Sequence, residues 1–195
     1  MRKLFILMTL LICFLAGCSE GKTDAYNSDL RSVADNMLNN ASEVEKVLVM
    51  YSTVWSYSIE NRSPIPVQQM AEKIGVDRDV ILEHFVINSA GNVPNDFSTN
   101  IHSIKSYYES TGVLGNIKEK SDDIKSKISE LNNPPKDFEN VYDEILDMYT
   151  LTEEFLEMAL NPKGSLQSFN ENFNRLSSDI ASKYKRIEVV MPSGD

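Results

Sequence analysis

The chain has 195 residues, a formal net charge of −10 and two cysteines. This length is sufficient for one domain with a substantial core. The excess of carboxylates excludes a protein that binds nucleic acid or anionic lipid headgroups through its overall charge.

The N-terminal segment is a short apolar stretch that ends in a cysteine. Arg2 and Lys3 precede an apolar run at residues 4–16, which as a helix would be about 20 Å long at about 1.5 Å per residue. A membrane-spanning helix takes about 20 apolar residues, so this run is too short to be one. A positive start, a short apolar run and small residues after it are typical of an export signal.

The residues Leu-Ala-Gly-Cys at positions 15–18 resemble the lipobox of bacterial lipoprotein signal peptides. The resemblance implies cleavage between Gly17 and Cys18, removal of residues 1–17, and a diacylglycerol on the Cys18 thiol. Two acyl chains hold a protein durably at a membrane surface. We therefore expect a lipid anchor on the extracytoplasmic face of the cell membrane. Cys13 would leave with the signal peptide, so no disulfide could form within the mature chain.

Residues 18–27 are polar and are predicted to form a lipidated tether, with the first turn of the next helix as the alternative. Residues 28–61 form the clearest predicted helix, because apolar side chains recur at alternating spacings of four and three. Trp55 lies on this stripe and is interpreted as a core residue rather than a ligand platform. The members of the stripe are Leu30, Ala34, Met37, Ala41, Val44, Leu48, Tyr51 and Trp55.

Two short helices are predicted after the prolines at 64 and 66, at residues 67–75 and 77–87, with Gly75 as the stop of the first. Ala71, Gly75 and Ile81 match positions of a DNA-binding helix-turn-helix. However, Asp77, Asp79 and Glu83 would repel phosphates. A helical hairpin that packs on the end of a bundle is therefore preferred.

Three further long helices complete the prediction. Residues 96–133 are predicted to form one helix with a defect at Gly112–Gly115, with a break into two helices as the alternative. Residues 136–160 form a helix with a broad apolar face and an acidic face, interpreted as solvated, and Ser165 caps a last helix. The sequence thus predicts an all-α fold, an up-and-down antiparallel bundle of about four long helices over residues 28–191, with the short hairpin inserted after the first helix. It shows no strand-like alternation.

The last third of the chain carries a second resemblance. The sequence from Ala159 to Asn170, together with Asn133-Pro134-Pro135 and Tyr142, resembles a pattern in uncharacterised small lipoproteins of low-GC Gram-positive bacteria. This resemblance implies no activity. The same residues are also what two capped helices around a proline-glycine turn require.

The sequence offers no set of residues for catalysis, a metal ion or a cofactor. His84 and His102 are the two histidines and lie in different predicted elements. Neither the His and Cys spacings of metal sites nor a nucleophile beside a histidine base occurs. His84 is interpreted as a surface or rim residue.

We therefore expect a non-enzymatic lipoprotein that binds or shields another component of the cell envelope, with a protein partner and without nucleic acid. Two alternatives stay open. One is an immunity or exclusion lipoprotein of a mobile element, and the other is a solute- or polymer-binding accessory protein. A pocket lined by convergent polar groups would favour ligand binding, and an exposed apolar patch would favour protein binding.

Overall fold

The computed structural model describes the backbone of residues 2–192 and the side chains of residues 23–192. This part of the chain is all-α apart from one two-residue ladder, which confirms the predicted fold class. The elements are α1 (Arg2–Glu60), β1 (Ile65–Pro66), α2 (Val67–Ile74), α3 (Arg78–His84), β2 (Asn92–Val93), α4 (Phe97–Ser110), α5 (Val113–Glu130), a 3₁₀ turn (Lys136–Phe138), α6 (Glu139–Leu160) and α7 (Leu166–Val190).

Helix α1 is central and contacts α4, α5, α6 and α7. Every member of its predicted apolar stripe is buried, and Leu30, Met37, Leu48 and Tyr51 are completely so. Because apolar residues three and four apart share one helix face, a broad stripe lets one helix pack against several neighbours at once. The predicted core of this helix is confirmed.

Side-chain hydrogen bonds show how the later helices run along α1. Tyr26 near one end of the described part of α1 donates to the Leu131 carbonyl, whereas Asn100 donates to Ser58 near the other end. Helices α4 and α5 therefore both run antiparallel to α1. Tyr51 donates to the Ala159 carbonyl at the end of α6.

The predicted single helix over residues 96–133 is wrong, because the chain breaks between α4 and α5. Gly112 has a φ of +76°, a left-handed conformation that ends an α-helix and that side chains with a Cβ rarely adopt. The Gly112 amide donates to the Glu109 carbonyl and closes the turn. Gly115 lies inside α5 as an ordinary helical residue.

The start of the helical body also differs from the prediction. The boundary expected at Ser28 is not a helix start: residues 23–27 of the expected tether are helical, as in the alternative interpretation, and Tyr26 and Asn27 among them are packed. Tyr26 meets the Phe138 ring edge-on at 5.3 Å, and Asn27 donates to the Pro192 carbonyl. These contacts attach that segment to the rest of the fold.

The hairpin of α2 and α3 follows the prediction in outline. Gly75 ends α2 with a φ of +70°, and its amide bonds to the Ala71 carbonyl. Helix α3 ends at His84 and not at residue 87. An antiparallel ladder that the sequence did not predict joins Ile65 to Val93. Two residues per strand are too few to show the alternation of apolar and polar residues by which a strand is recognised in a sequence.

Within the residues described, no helix is long and apolar enough to cross a lipid bilayer.

Candidate functional site

The predicted lipidation and cleavage site, Gly17 and Cys18, lies outside the described side chains. Signal cleavage and lipidation therefore stay predictions. The structure instead draws attention to surface clefts on the helical body.

One cleft on the described residues has a volume of about 500 Å³ and is called the end cleft here. Its walls come from the last turns of α1, the first part of α4 and the loop between α6 and α7. Its volume falls within the range of small-molecule sites, roughly 300–1,000 Å³. The lining residues are Trp55, Phe97, Ser98, Ile101, His102, Lys105, Leu160, Asn161, Pro162, Lys163 and Gly164.

Two stacked aromatic rings form one wall of the end cleft. The rings of Trp55 and Phe97 are nearly parallel, with centroids 5.4 Å apart and planes 9° apart, and Trp55 also meets Phe169 at 5.6 Å. Trp55 is 4% exposed, which agrees with the core role predicted for it, whereas Phe97 is 41% exposed. Phe97 therefore presents apolar ring surface to solvent at the mouth of the cleft.

Local sequence positions this part of α4. Asp96 precedes Phe97 and accepts a hydrogen bond from the Thr99 amide, so α4 begins with a side-chain cap. Asn100 faces α1 and donates to both Ser58 and the Pro94 carbonyl. Together these bonds set the start and the rotation of α4.

The opposite side of α4 brings cationic and polar groups to the cleft. Ser98, Ile101, His102 and Lys105 follow spacings of three and four and therefore share one helix face. The Lys105 ammonium lies 2.9 Å from the Glu109 carboxylate, so its charge is partly compensated.

The α6–α7 loop adds a second cation. Lys163 is exposed and has no ion-pair partner among the described side chains. Gly164, with a φ of +97°, turns the chain directly before α7. Ser165 then caps α7 as predicted, through a reciprocal pair of bonds with Ser168. The loop conformation that holds Lys163 at the cleft thus follows from a left-handed glycine and a capping box.

The charge of the end cleft differs from that of the chain. Lys105 and Lys163 line it together with His102, and no carboxylate belongs to its described lining, although the whole chain has a net charge of −10. The nearest carboxylates named by contacts lie outside the lining: Glu109 pairs with Lys105, and Glu157 accepts from Asn161.

A second cleft of about 390 Å³ lies between α1 and α5 and is called the side cleft here. Lys120, Lys127 and Asp123 line it, so its charges are mixed, and its remaining polar lining is asparagine. Asn40 donates to the Ile117 carbonyl, while its own amide oxygen is buried without a hydrogen-bond partner. The side cleft contains no aromatic ring in its described lining.

The acidic face predicted for residues 136–160 is only partly solvated. Glu144 is buried and forms two ion pairs, at 2.8 Å with Lys183 and at 2.6 Å with Arg186. Lys183 also pairs with Asp147 at 3.1 Å. The interpretation of this face as solvated is therefore wrong at Glu144, because the cations of α7 pack over it.

The other residues singled out in the sequence, His84, Asp77 and Asp79, do not line the end cleft or the side cleft. His84 packs edge-on against the Tyr107 ring at 5.3 Å, and Asp77 and Asp79 are exposed at the start of α3. Within the part of the chain that the structure describes, no group of three or more His, Cys, Asp or Glu side chains is placed to hold a metal ion.

Sequence reasoning missed Lys105 and Lys163 as partners of one surface. They belong to elements more than fifty residues apart, and each alone is an ordinary surface lysine. One available signal was the Asn-Pro-Lys-Gly turn at residues 161–164, which places a cation directly beside an otherwise apolar helix end.

Comparisons of the chain with family models, with curated proteins and with solved structures found no match.

Proposed function

We propose that this chain is a lipid-anchored, extracytoplasmic helical module that binds another component of the cell envelope without catalysing a reaction. The anchor rests on the lipobox-like sequence ending at Cys18. The binding role rests on the end cleft, which combines exposed ring surface with cationic groups.

In this proposal the long elements form an up-and-down antiparallel bundle of four arms: α1, then α4 and α5 together, then α6, then α7. The contacts between α1 and α4, and between α1 and α5, support antiparallel neighbours. Two ion pairs, Lys183 with Glu144 and Arg175 with Glu154, support the same relation for the last two arms, because positions that rise along α6 meet positions that fall along α7. The α2–α3 hairpin is inserted after the first arm.

The observation that carries the binding role is the position of the end cleft. Trp55 follows Tyr26 by 29 residues in the same helix, which is about 44 Å at about 1.5 Å per residue. Cys18 precedes Tyr26, so after the predicted removal of residues 1–17 the anchor and the cleft would belong to opposite ends of the remaining part of α1. A protein tethered at Cys18 would hold the end cleft away from the lipid surface.

The anchor is tested by labelling with a palmitate analogue and by membrane fractionation in a bacterial host. Cys18→Ser is expected to abolish labelling and release the protein from the membrane fraction. Cys13→Ser is the matched control and is expected to change neither, because this residue would be removed with the signal peptide. Unchanged labelling of Cys18→Ser would contradict the lipid anchor.

The binding role is tested by site-specific photo-crosslinking on intact cells. A photo-reactive phenylalanine analogue at Ser98, an exposed residue of the cleft lining, is expected to capture an envelope component. The same analogue at Val189, which is 84% exposed near the opposite end, is the control. Equal capture at both positions, or none at Ser98, would contradict a binding role for this cleft.

Among the alternatives, a solute- or polymer-binding accessory protein is the one that a specific observation favours. Convergent polar groups beside a ring are typical of ligand sites. An immunity or exclusion lipoprotein would instead present a face that docks a protein. The features of the end cleft do not specifically favour such a face.

A further inference from the structure

The aromatic wall and the cations of the end cleft form a combination that selects a chemical class of ligand. Phe97 exposes 41% of its surface while its ring stacks on Trp55. An exposed ring that is already held by a second ring is rigid, so a flat ligand group can stack on it at little entropic cost.

The cations lie on two different walls of the cleft. Lys105 comes from α4 and Lys163 from the α6–α7 loop, with His102 on the same helix face as Lys105. Lysine ammonium groups act as point charges for phosphate and carboxylate groups. Because Lys163 has no ion-pair partner among the described side chains, its charge is available to a ligand.

The rest of the described surface does not offer this combination. The side cleft mixes Lys120 and Lys127 with Asp123, and the cations Lys183 and Arg186 are already paired with Glu144. In the end cleft Lys105 is paired with Glu109, but Lys163 has no ion-pair partner among the described side chains, and no carboxylate belongs to the described lining.

We propose that the end cleft binds an organic anion in which a flat ring carries a phosphate or carboxylate group. The ring stacks against Phe97, and the anionic group lies between Lys105 and Lys163. This inference rests on the binding role proposed above, but it does not depend on the lipid anchor.

The test uses the fluorescence of Trp55, the sole tryptophan of the chain, in the full chain kept in detergent micelles. The probes are phenyl phosphate, glucose 1-phosphate, inorganic phosphate and phenol. Phenyl phosphate is expected to change the emission of Trp55 saturably, with weaker binding at high salt. It is expected to bind at least tenfold more tightly than phenol or inorganic phosphate, each of which lacks one of the two recognised groups.

Glucose 1-phosphate tests whether the ring must be flat, because its pyranose ring is a puckered chair. Tight binding of phenyl phosphate alone would support a flat ring. Equally tight binding of glucose 1-phosphate would overturn it. Equal binding of phenyl phosphate and inorganic phosphate would overturn the role of the ring, and equal binding of phenyl phosphate and phenol would overturn the role of the cations.

Variants assign the effect to named residues. Lys163→Gln is expected to weaken phenyl phosphate about threefold to fivefold, since single exposed charge contacts are modest. Combining it with Lys105→Gln is expected to weaken binding further. Lys163→Arg should retain binding. Lys136→Gln removes the same charge near the opposite end and is the matched control, with unchanged affinity expected.

Phe97→Leu tests the ring while keeping an apolar side chain of similar size. It is expected to weaken phenyl phosphate but not inorganic phosphate, and circular dichroism of each variant confirms folding. If no probe binds while crosslinking at Ser98 still captures an envelope component, the ligand class is wrong and the binding function stands. If neither occurs, the binding function itself fails.

Discussion

Two regions of this protein use charged side chains in opposite ways. At the interface of α6 and α7, named here the charge-paired interface, Glu144 and Asp147 meet Lys183 and Arg186 at 2.6–3.1 Å. At the end cleft, Lys163 has no such partner among the residues described, and no carboxylate belongs to the lining.

The difference shows that a buried ion pair, and not the number of charges, marks the structural role: Glu144 is buried in its pairs, whereas at the end cleft Lys163 is unpaired among the described side chains and the Lys105–Glu109 pair is partly exposed. The side chain of Glu144 is 8% exposed, and a buried carboxylate is costly unless cations and hydrogen bonds compensate it. Lys183 and Arg186 therefore compensate this buried carboxylate and stabilise the fold. An exposed cation without a partner keeps its charge for a ligand.

The largest expected effect is a loss of folding stability at alkaline pH, because it acts on Lys183 of the charge-paired interface and also on tyrosines outside that interface whose pKa values are raised. The carboxylates of Glu144 and Asp147 accept hydrogen bonds from Lys183 and raise its pKa. Burial raises the pKa of Tyr149 to about 12, and the hydrogen bond to Asp35 raises that of Tyr184 to about 12, from an ordinary 10.0.

The direction in which folding stability changes with pH follows from the difference in pKa between the folded and unfolded states. A raised pKa means that the folded state holds the proton more tightly than the unfolded state, so this stability is complete below about pH 10 and is lost as the pH rises towards about 12. Far-UV circular dichroism and tyrosinate absorbance against pH check this expectation. Ionisation of these tyrosines near pH 10 with the fold intact would contradict it.

A smaller effect is expected from Glu144→Ala, which leaves Lys183 and Arg186 without their buried partner. We expect a loss of about 1–2 kcal/mol, less than for a fully buried pair because Arg186 is 62% exposed. Urea unfolding followed by Trp55 fluorescence measures the loss. Asp143→Ala removes a neighbouring exposed carboxylate and is the matched control, with a change within about 0.5 kcal/mol.

The smallest expected effect is that of Lys163→Gln on folding stability. Lys163→Gln, measured in the same urea experiment, should change the free energy of unfolding by less than about 0.5 kcal/mol, although it weakens ligand binding at the end cleft. A loss as large as that of Glu144→Ala would show that Lys163 also has a structural role, so that the charges of the two regions would not differ in this respect.

Much of the fold was predictable because its signals are local. The alternating spacings in α1 predicted its buried stripe, and the Gly75 stop and the Ser165 cap occur at the predicted residues. Each of these features depends on residues within about one or two helical turns. The prediction located the irregularity at Gly112 correctly, but the chain breaks into two helices there instead of continuing as one. Periodicity alone does not distinguish a kink from a break.

The sequence by itself determined the all-α class, the buried stripe of α1, the Gly75 stop and the Ser165 cap, and it carries the lipobox-like signal that ends at Cys18. Only the tertiary structure decided that Tyr26 and Asn27 pack into the helical body, that Glu144 is buried beneath the cations of α7, and that Trp55, Lys105 and Lys163 line one cleft. The physical reason is the separation in sequence between the residues that interact. Helix periodicity and capping are set by neighbours along the chain, whereas burial and convergence are set by segments that are distant in sequence and meet only after the helices have packed.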